Sequence, residues 1–232
     1  MTGNATARML LAADREEVTA NRKARPAGQM PTSAARAEDW NVMQDWGIAL
    51  IGVPLGFTVG TLGEYWIHRG MHKGGVLAGG HGEHHREGWG QGAFKEFRDY
   101  TLGTGIALLI GLPIDVFFLT GGMLAGSAAF GGLLHAFFAA WCHQAQHEDP
   151  RLLPWMAATP VHFVHHKRQQ ARHNFGISVD WWDRVFRTYK VDSDWRGLVR
   201  VDRARLRPWQ IHWFTPNTDK RSAARHRLQG WS

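Results

Sequence analysis

Residues 42–72, VMQDWGIALIGVPLGFTVGTLGEYWIHRGMH, decide the fold. From Trp46 to Ile67 the only charged residue is Glu64. A helix needs roughly 20 apolar residues to cross the hydrocarbon core of a bilayer, so this stretch reads as a membrane span. Pro54 and the glycines inside it are tolerable in such a helix. The span runs straight into His68 and His72.

The same reading extends outward. Residues 68–100 are polar and rich in glycine and histidine, and are expected to form a loop. A second apolar stretch, Thr101 to Thr120, is broken by Asp115; a third runs from Gly122 to Cys142. Gly121 and Gly122 mark the turn of a transmembrane hairpin. Gly103, Gly105, Gly111, Gly122, Gly126, Gly131 and Gly132 would let its helices approach closely. A soluble helical core is the alternative, because two of the stretches carry a charge. If the first span ends at His68, the second leaves that side and the third returns, delivering His143 and His147 to the same face.

Composition narrows the classes. The 232 residues suit one domain. The net charge of +7 points to nucleic acid or an anionic membrane surface, and twelve tryptophans favour the membrane. One cysteine, Cys142, excludes a disulfide framework or a thiolate zinc site, so any metal must be held by histidine or carboxylate. Arg69, Lys73, Arg86, Lys95 and Arg98 stand on the histidine face. By the positive-inside rule that face is cytoplasmic, and the N-terminus lies outside. The polar arm 1–40 shows no signal-peptide pattern, and Met9–Ala13 begin a short helix. The membrane domain covers 41–190. A basic amphipathic segment and tail cover 191–232; within it, residues 195–215 either lie among lipid headgroups or pack on the domain.

Fourteen histidines are the main anomaly, twelve of them between His68 and His173. His68 and His72 form H-x3-H; His81, His84 and His85 form H-x2-H-H. His143 and His147 repeat the first pattern, and His162, His165 and His166 the second. On a helix, positions i, i+3 and i+4 share one face, so each cluster can offer several imidazoles to one metal or to two neighbours. Neutral imidazole suits iron, zinc and copper. One H-x2-H-H is expected roughly 0.05 times by chance at this composition, and two with two H-x3-H pairs are no accident. Ten ligands exceed the three or four of one tetrahedral zinc and suit two metals with about five each. Glu64 and Glu83 adjoin the clusters, either supporting the ligands or as ordinary interfacial charge. His135 falls inside the third span, where an ionisable group is usually functional; a packed histidine is the alternative. His173 either supports the metals or sits in a loop. His212 and His226 fall outside the clusters.

The order, spacing and flanks of these motifs resemble the fatty acid hydroxylase superfamily, which includes sterol desaturases and carotenoid hydroxylases. The resemblance runs from about Glu64 to Tyr189. It rests on Tyr65-Trp66-Ile67-His68-Arg69 with His72, on His81-x2-His84-His85, on His143-x3-His147 and on His162-x2-His165-His166. It continues through His173-Asn174-Phe175-Gly176 and Trp182-Asp183-Arg184-Val185-Phe186-Arg187-Thr188-Tyr189. It implies an all-α fold: an integral membrane helical stem of about three spans with a cytosolic histidine-rich helical cap holding a di-metal site. Four spans are commoner in that family. The implied ligands are His68, His72, His81, His84, His85, His143, His147, His162, His165 and His166. His135, His173, Asn174, Glu64, Glu83 and Asp183 are supporting candidates. The implied cofactors are two Fe ions, replaceable by Zn during purification; the catalytic group is the di-metal centre, and no separate acid or base is assigned. The implied reaction is O2-dependent hydroxylation or desaturation of a lipid or isoprenoid C–H bond. A separate ferredoxin- or cytochrome-like electron donor would serve it, with no nucleic acid partner. The expected location is a bacterial inner membrane. A histidine-rich metal transporter or storage protein is the rival reading, although transport should place ligands mid-span, where only His135 qualifies.

Overall fold

The structure, a computed structural model, describes residues 33–74, 78–199 and 204–214. The expected helix at Met9–Ala13 and His226 lie outside them. The chain divides into two units at Asp45 and Trp46. The described part of the first is helical; all that follows concerns the second, apart from the start of α1.

The fold is all-helical, with no strand among the described residues. Helix α1 is Ser33–Met71, α2 Ala78–Glu87, α3 Ala93–Phe118 and α4 Met123–Glu148. The short helices α5, Val161–Lys167, and α6, Trp181–Val185, follow, among three 3-10 turns. Val42–Met71, α3 and α4 are each long and apolar enough to cross a membrane. Their outer faces carry bare apolar side chains such as Leu50, Leu109 and Phe117, each at least 75% exposed. A soluble domain rarely leaves so much apolar surface bare, so the chain is an integral membrane protein.

The three spans match the expected stretches, but their ends differ. Residues 68–100 are not one loop: α2 occupies 78–87, and α3 begins at Ala93, eight residues before Thr101. The early start is possible because other chain segments serve its first N–H groups: Ala93 and Phe94 donate to the carbonyls of His212 and Trp213 at 3.0 and 2.8 Å. α4 continues past Cys142 to Glu148, which places His143 and His147 on its last turns.

Close helix contact falls on different glycines from most of those expected. A Cβ at Gly56 would lie 1.8 Å from the Ala128 carbonyl oxygen, and one at Gly131 would lie 2.0 Å from that of Val53. Gly52 faces Ser127, and Gly60 faces the His135 ring. Gly52, Gly56 and Gly60, four residues apart, form the face of α1 that touches α4. Of the hairpin glycines, Gly132 faces Thr104, whereas Gly103, Gly105, Gly111 and Gly126 have open space where a side chain would be. Asp115, the charge in the second span, makes the hairpin turn. Its carboxylate accepts from the Thr120 N–H and hydroxyl and from the Ala125 N–H, the last at 2.7 Å. It thereby satisfies a free donor at the start of α4.

Candidate metal centre

Past the ends of the spans, the chain folds back over them. Residues 174–178, α5 and α6 cover the ends of α1 and α4, and three buried side chains fasten this cover. Glu64 on α1 accepts from the N–H groups of Ile177 and Ser178 at 2.7 and 2.9 Å, from the Ser178 hydroxyl at 2.7 Å, and pairs with His135 at 3.1 Å. Gln146 on α4 accepts from the N–H groups of His162 and Phe163, free donors at the start of α5, and donates to the Ile177 carbonyl at 2.6 Å. Asp183 on α6 accepts from the N–H groups of Phe175 and Gly176 at 2.8 and 2.7 Å and from the Thr188 hydroxyl at 2.7 Å. Burial raises the Asp183 pKa above the ordinary carboxylate value, against the pull of these bonds.

This frame brings all ten motif histidines together. In the first group, Nε2 atoms form a closed ring: His72 to His81 at 2.9 Å, His81 to His85 at 3.0 Å, His85 to His165 at 3.2 Å, and His165 to His72 at 2.8 Å. His68 joins this group, its ring 4.7 Å from that of His165. The second group is His84, His147, His162 and His166. Here His84 lies 3.1 Å from His147 and His147 3.2 Å from His162. His143 Nε2 stands 3.2 Å from His84 Nε2 and adds a fifth ring. Each H-x2-H-H motif divides between the groups. His81 and His85 face the first and His84 the second, while His162 and His166 face the second and His165 the first. The stacked rings of His85 and His166, 3.9 Å apart, lie where the groups meet.

The donor set fits metal ions. A carbonyl can only accept, so the bonds from His68 to the Phe175 carbonyl (2.6 Å) and from His165 to the His173 carbonyl (2.8 Å) place the proton on Nδ1. That leaves each Nε2 with its lone pair free for a metal. The Nε2 of His68 and both ring nitrogens of His166 are buried without a partner. Two nitrogens bound about 2.1 Å from one metal at a right angle would be about 3.0 Å apart, which is the spacing found. Burial foremost, then repulsion between neighbouring imidazoles, lowers the pKa of His84 to about 2, of His81 to about 3 and of His85 to about 4. For His165, also at about 3, burial again dominates. Such rings are neutral at pH 7, as a metal ligand must be.

The supporting candidates separate. Glu64, His135 and Asp183 hold the frame. His173 contributes its backbone carbonyl to His165. Asn174, in the left-handed region at φ 60°, pairs both ways with the Lys190 backbone and bonds Gln170. Glu83 is exposed. His212 bonds Glu148 at 2.9 Å, and Trp195 and Ile211 are buried, so the described parts of this segment, 195–199 and 204–214, pack on the domain. Sequence reasoning missed Gln146 and Glu96. The two glutamines in His143-Gln-Ala-Gln-His147, at the end of an apolar span, were the available signal for the first.

The fatty acid hydroxylase family model matches residues 53–188, more than half of the chain. The chain is 30% identical over 165 residues to an alkylglycerol monooxygenase of Danio rerio, an alignment covering 67% of this chain and 32% of that one. It is 24% identical over 217 residues to the alkylglycerol monooxygenase of Xenopus tropicalis, covering 83% and 44%. The chain thus spans less than half the length of these curated relatives. No solved structure gives a significant match. On the family match, which takes in all ten clustered histidines, this chain belongs to the fatty acid hydroxylase family.

Proposed function

We propose that the protein is a membrane-bound non-haem di-iron oxygenase that hydroxylates a lipid C–H bond with O2 and an external reductant. The observation that carries this reading is the division of the ten motif histidines into two adjoining groups at one end of an apolar stem. One zinc would leave more than half of them idle. Two iron ions held there would supply O2 reduction and attack on an unactivated C–H bond.

The chain's own residues do the rest. His68, His72, His81, His85 and His165 would hold one ion, and His84, His143, His147, His162 and His166 the other. The Phe175 and His173 carbonyls keep protons on Nδ1 and aim Nε2 inward. The apolar spans give an alkyl chain a dry approach from the lipid side. Phe117, Phe118, Phe130 and Phe137 are more than half exposed and belong to the lipid-facing surface; Phe138 packs instead against Phe57 and Trp155. The histidine end faces the cytoplasm of a bacterial inner membrane, where an acidic ferredoxin- or cytochrome-like donor can reach its basic residues. The relatives' name makes alkylglycerols the first substrates to try, beside fatty acyl lipids and carotenoids.

The test is the metal content of detergent-purified protein grown with ample iron, followed by O2-dependent product formation on that lipid panel. About two irons per chain and an oxygenated lipid are expected. One metal or none would sink the reading, and metal uptake into vesicles without oxidation would favour the transport rival.

A further inference from the structure

Glu96 stands in the first turn of α3, 9% exposed, in a stretch where a loop was expected. The antiparallel hairpin sets it against the far end of α4. There its Oε1 lies 3.1 Å from Nδ1 of His143, off the line of a directed hydrogen bond. The other nitrogen of that ring points at His84, into the second histidine group. The two rings of the first group that are fixed through Nδ1, His68 and His165, rest on neutral carbonyls. The other glutamate side chains buried at this end among the described residues are already engaged: Glu64 with Ile177, Ser178 and His135, and Glu148 with His212 and Gln144.

We infer that Glu96 is a positioning residue for the metal centre: its carboxylate, set against the Nδ1 side of His143, favours that ring's orientation by charge and gives the second histidine group a negative charge that distinguishes it from the first. The inference rests on the di-metal reading. Ten neutral imidazoles leave two divalent cations uncompensated in a poorly solvated site, and a carboxylate behind a ligand ring raises the ring's basicity and fixes its orientation. The position suits an anion, because the first turn of a helix favours negative charge. The two metals therefore bind with unequal affinity, and Glu96 strengthens one of them.

The experiment uses the full chain in detergent, stripped of metal and titrated anaerobically with ferrous iron, then with cobalt, against a chromophoric chelator. Wild type, Glu96→Gln, Glu96→Asp and the exposed neighbour Asp99→Asn are compared. Glu96→Gln should weaken one binding step by about 10–100-fold and leave the other alone. It should also shift the cobalt absorption of that step, with the apoprotein melting as wild type does. Glu96→Asp, with the carboxylate drawn back by one methylene, should fall between, and Asp99→Asn should change nothing. Two unchanged binding steps in Glu96→Gln would overturn the inference. So would an equal loss in both with a lowered apoprotein melting temperature, which would make Glu96 a structural residue. A wild type that binds fewer than two metals would overturn the di-metal reading itself.

Discussion

Asp183→Asn tests the frame most sharply, because it replaces one atom and leaves shape alone. The carboxylate accepts from two backbone N–H groups and one hydroxyl and is 0% exposed. An asparagine must turn its NH2 towards either Gly176 or Phe175, setting a donor against a donor at about 2.7–2.8 Å. One charge-assisted bond is lost, worth about 1.5–3 kcal/mol, and one buried N–H is left unpaired at about 1–3 kcal/mol. These costs overlap, so a net loss of about 2–4 kcal/mol is expected. For a chain of this size that lowers the melting temperature by roughly 5–15 °C. The damage should be directional. The Phe175 carbonyl holds His68 in place, so the first histidine group should lose metal affinity by about 10–100-fold while the second keeps its own. Thermal unfolding in detergent and chelator competition measure the two effects. A variant that melts with wild type and loads both metals equally would refute the claim that Asp183 positions His68 through the Phe175 peptide.

His165→Ala should cost the metal of the first group and His166→Ala that of the second, with the double variant losing both, as metal analysis of purified protein would show. Gly56→Ala would drive a Cβ into the Ala128 carbonyl and should leave little folded protein in detergent by size exclusion, whereas Gly63→Ala, with nothing within 4 Å, should stay within about 0.5 kcal/mol of wild type. The metal-free protein should be acid-labile. The folded pKa values of His81, His84, His85 and His165 are about 2–4 and that of an unfolded histidine is about 6.5, so between these limits the unfolded chain binds more protons and stability falls as pH falls. Melting scans from pH 7 to pH 5 should show the decline; a flat profile would contradict it.

Much of the site was legible because coordination chemistry imposes a spacing. The four histidine motifs, the three spans and their convergence on one face can be read from residue type and position alone. The supports cannot. Glu64 is next to a motif in sequence, yet it binds the backbone of Ile177 and Ser178, more than a hundred residues away. α2 was hidden by Gly79, Gly80 and Gly82, each costing about 1 kcal/mol of helix propensity. That helix forms where His84 is buried among His143, His147 and His166, so tertiary contact overrides propensity. Glu96 was lost with it, since a residue assigned to a loop has no reason to face α4. The glycines misled because seven in the hairpin drew attention from three in α1, and only their spacing of four reveals a shared face.

That spacing continues past the glycines. Gly52, Gly56, Gly60, Glu64 and His68 follow one another at intervals of four along α1, forming a single ridge of the helix, and His72 continues the interval in the turn just past its end. Its first half has no side chains and lets α1 meet the backbone of α4. Glu64, at the middle, ties α1 to residues 177–178 and to His135 of α4. Its last half is two imidazoles of the first histidine group. Packing, fastening and metal geometry thus lie on one rigid line, and a helix cannot turn at one end while staying fixed at the other. Anything that rotates α1 against α4 must swing His68 and His72 out of register. The second group draws its rings from α2, α4 and α5 and has none on α1. Disturbing the α1–α4 contact should therefore empty the first group before the second, and exchanging the lipid packed against the spans should change the first group's metal affinity more than the second's.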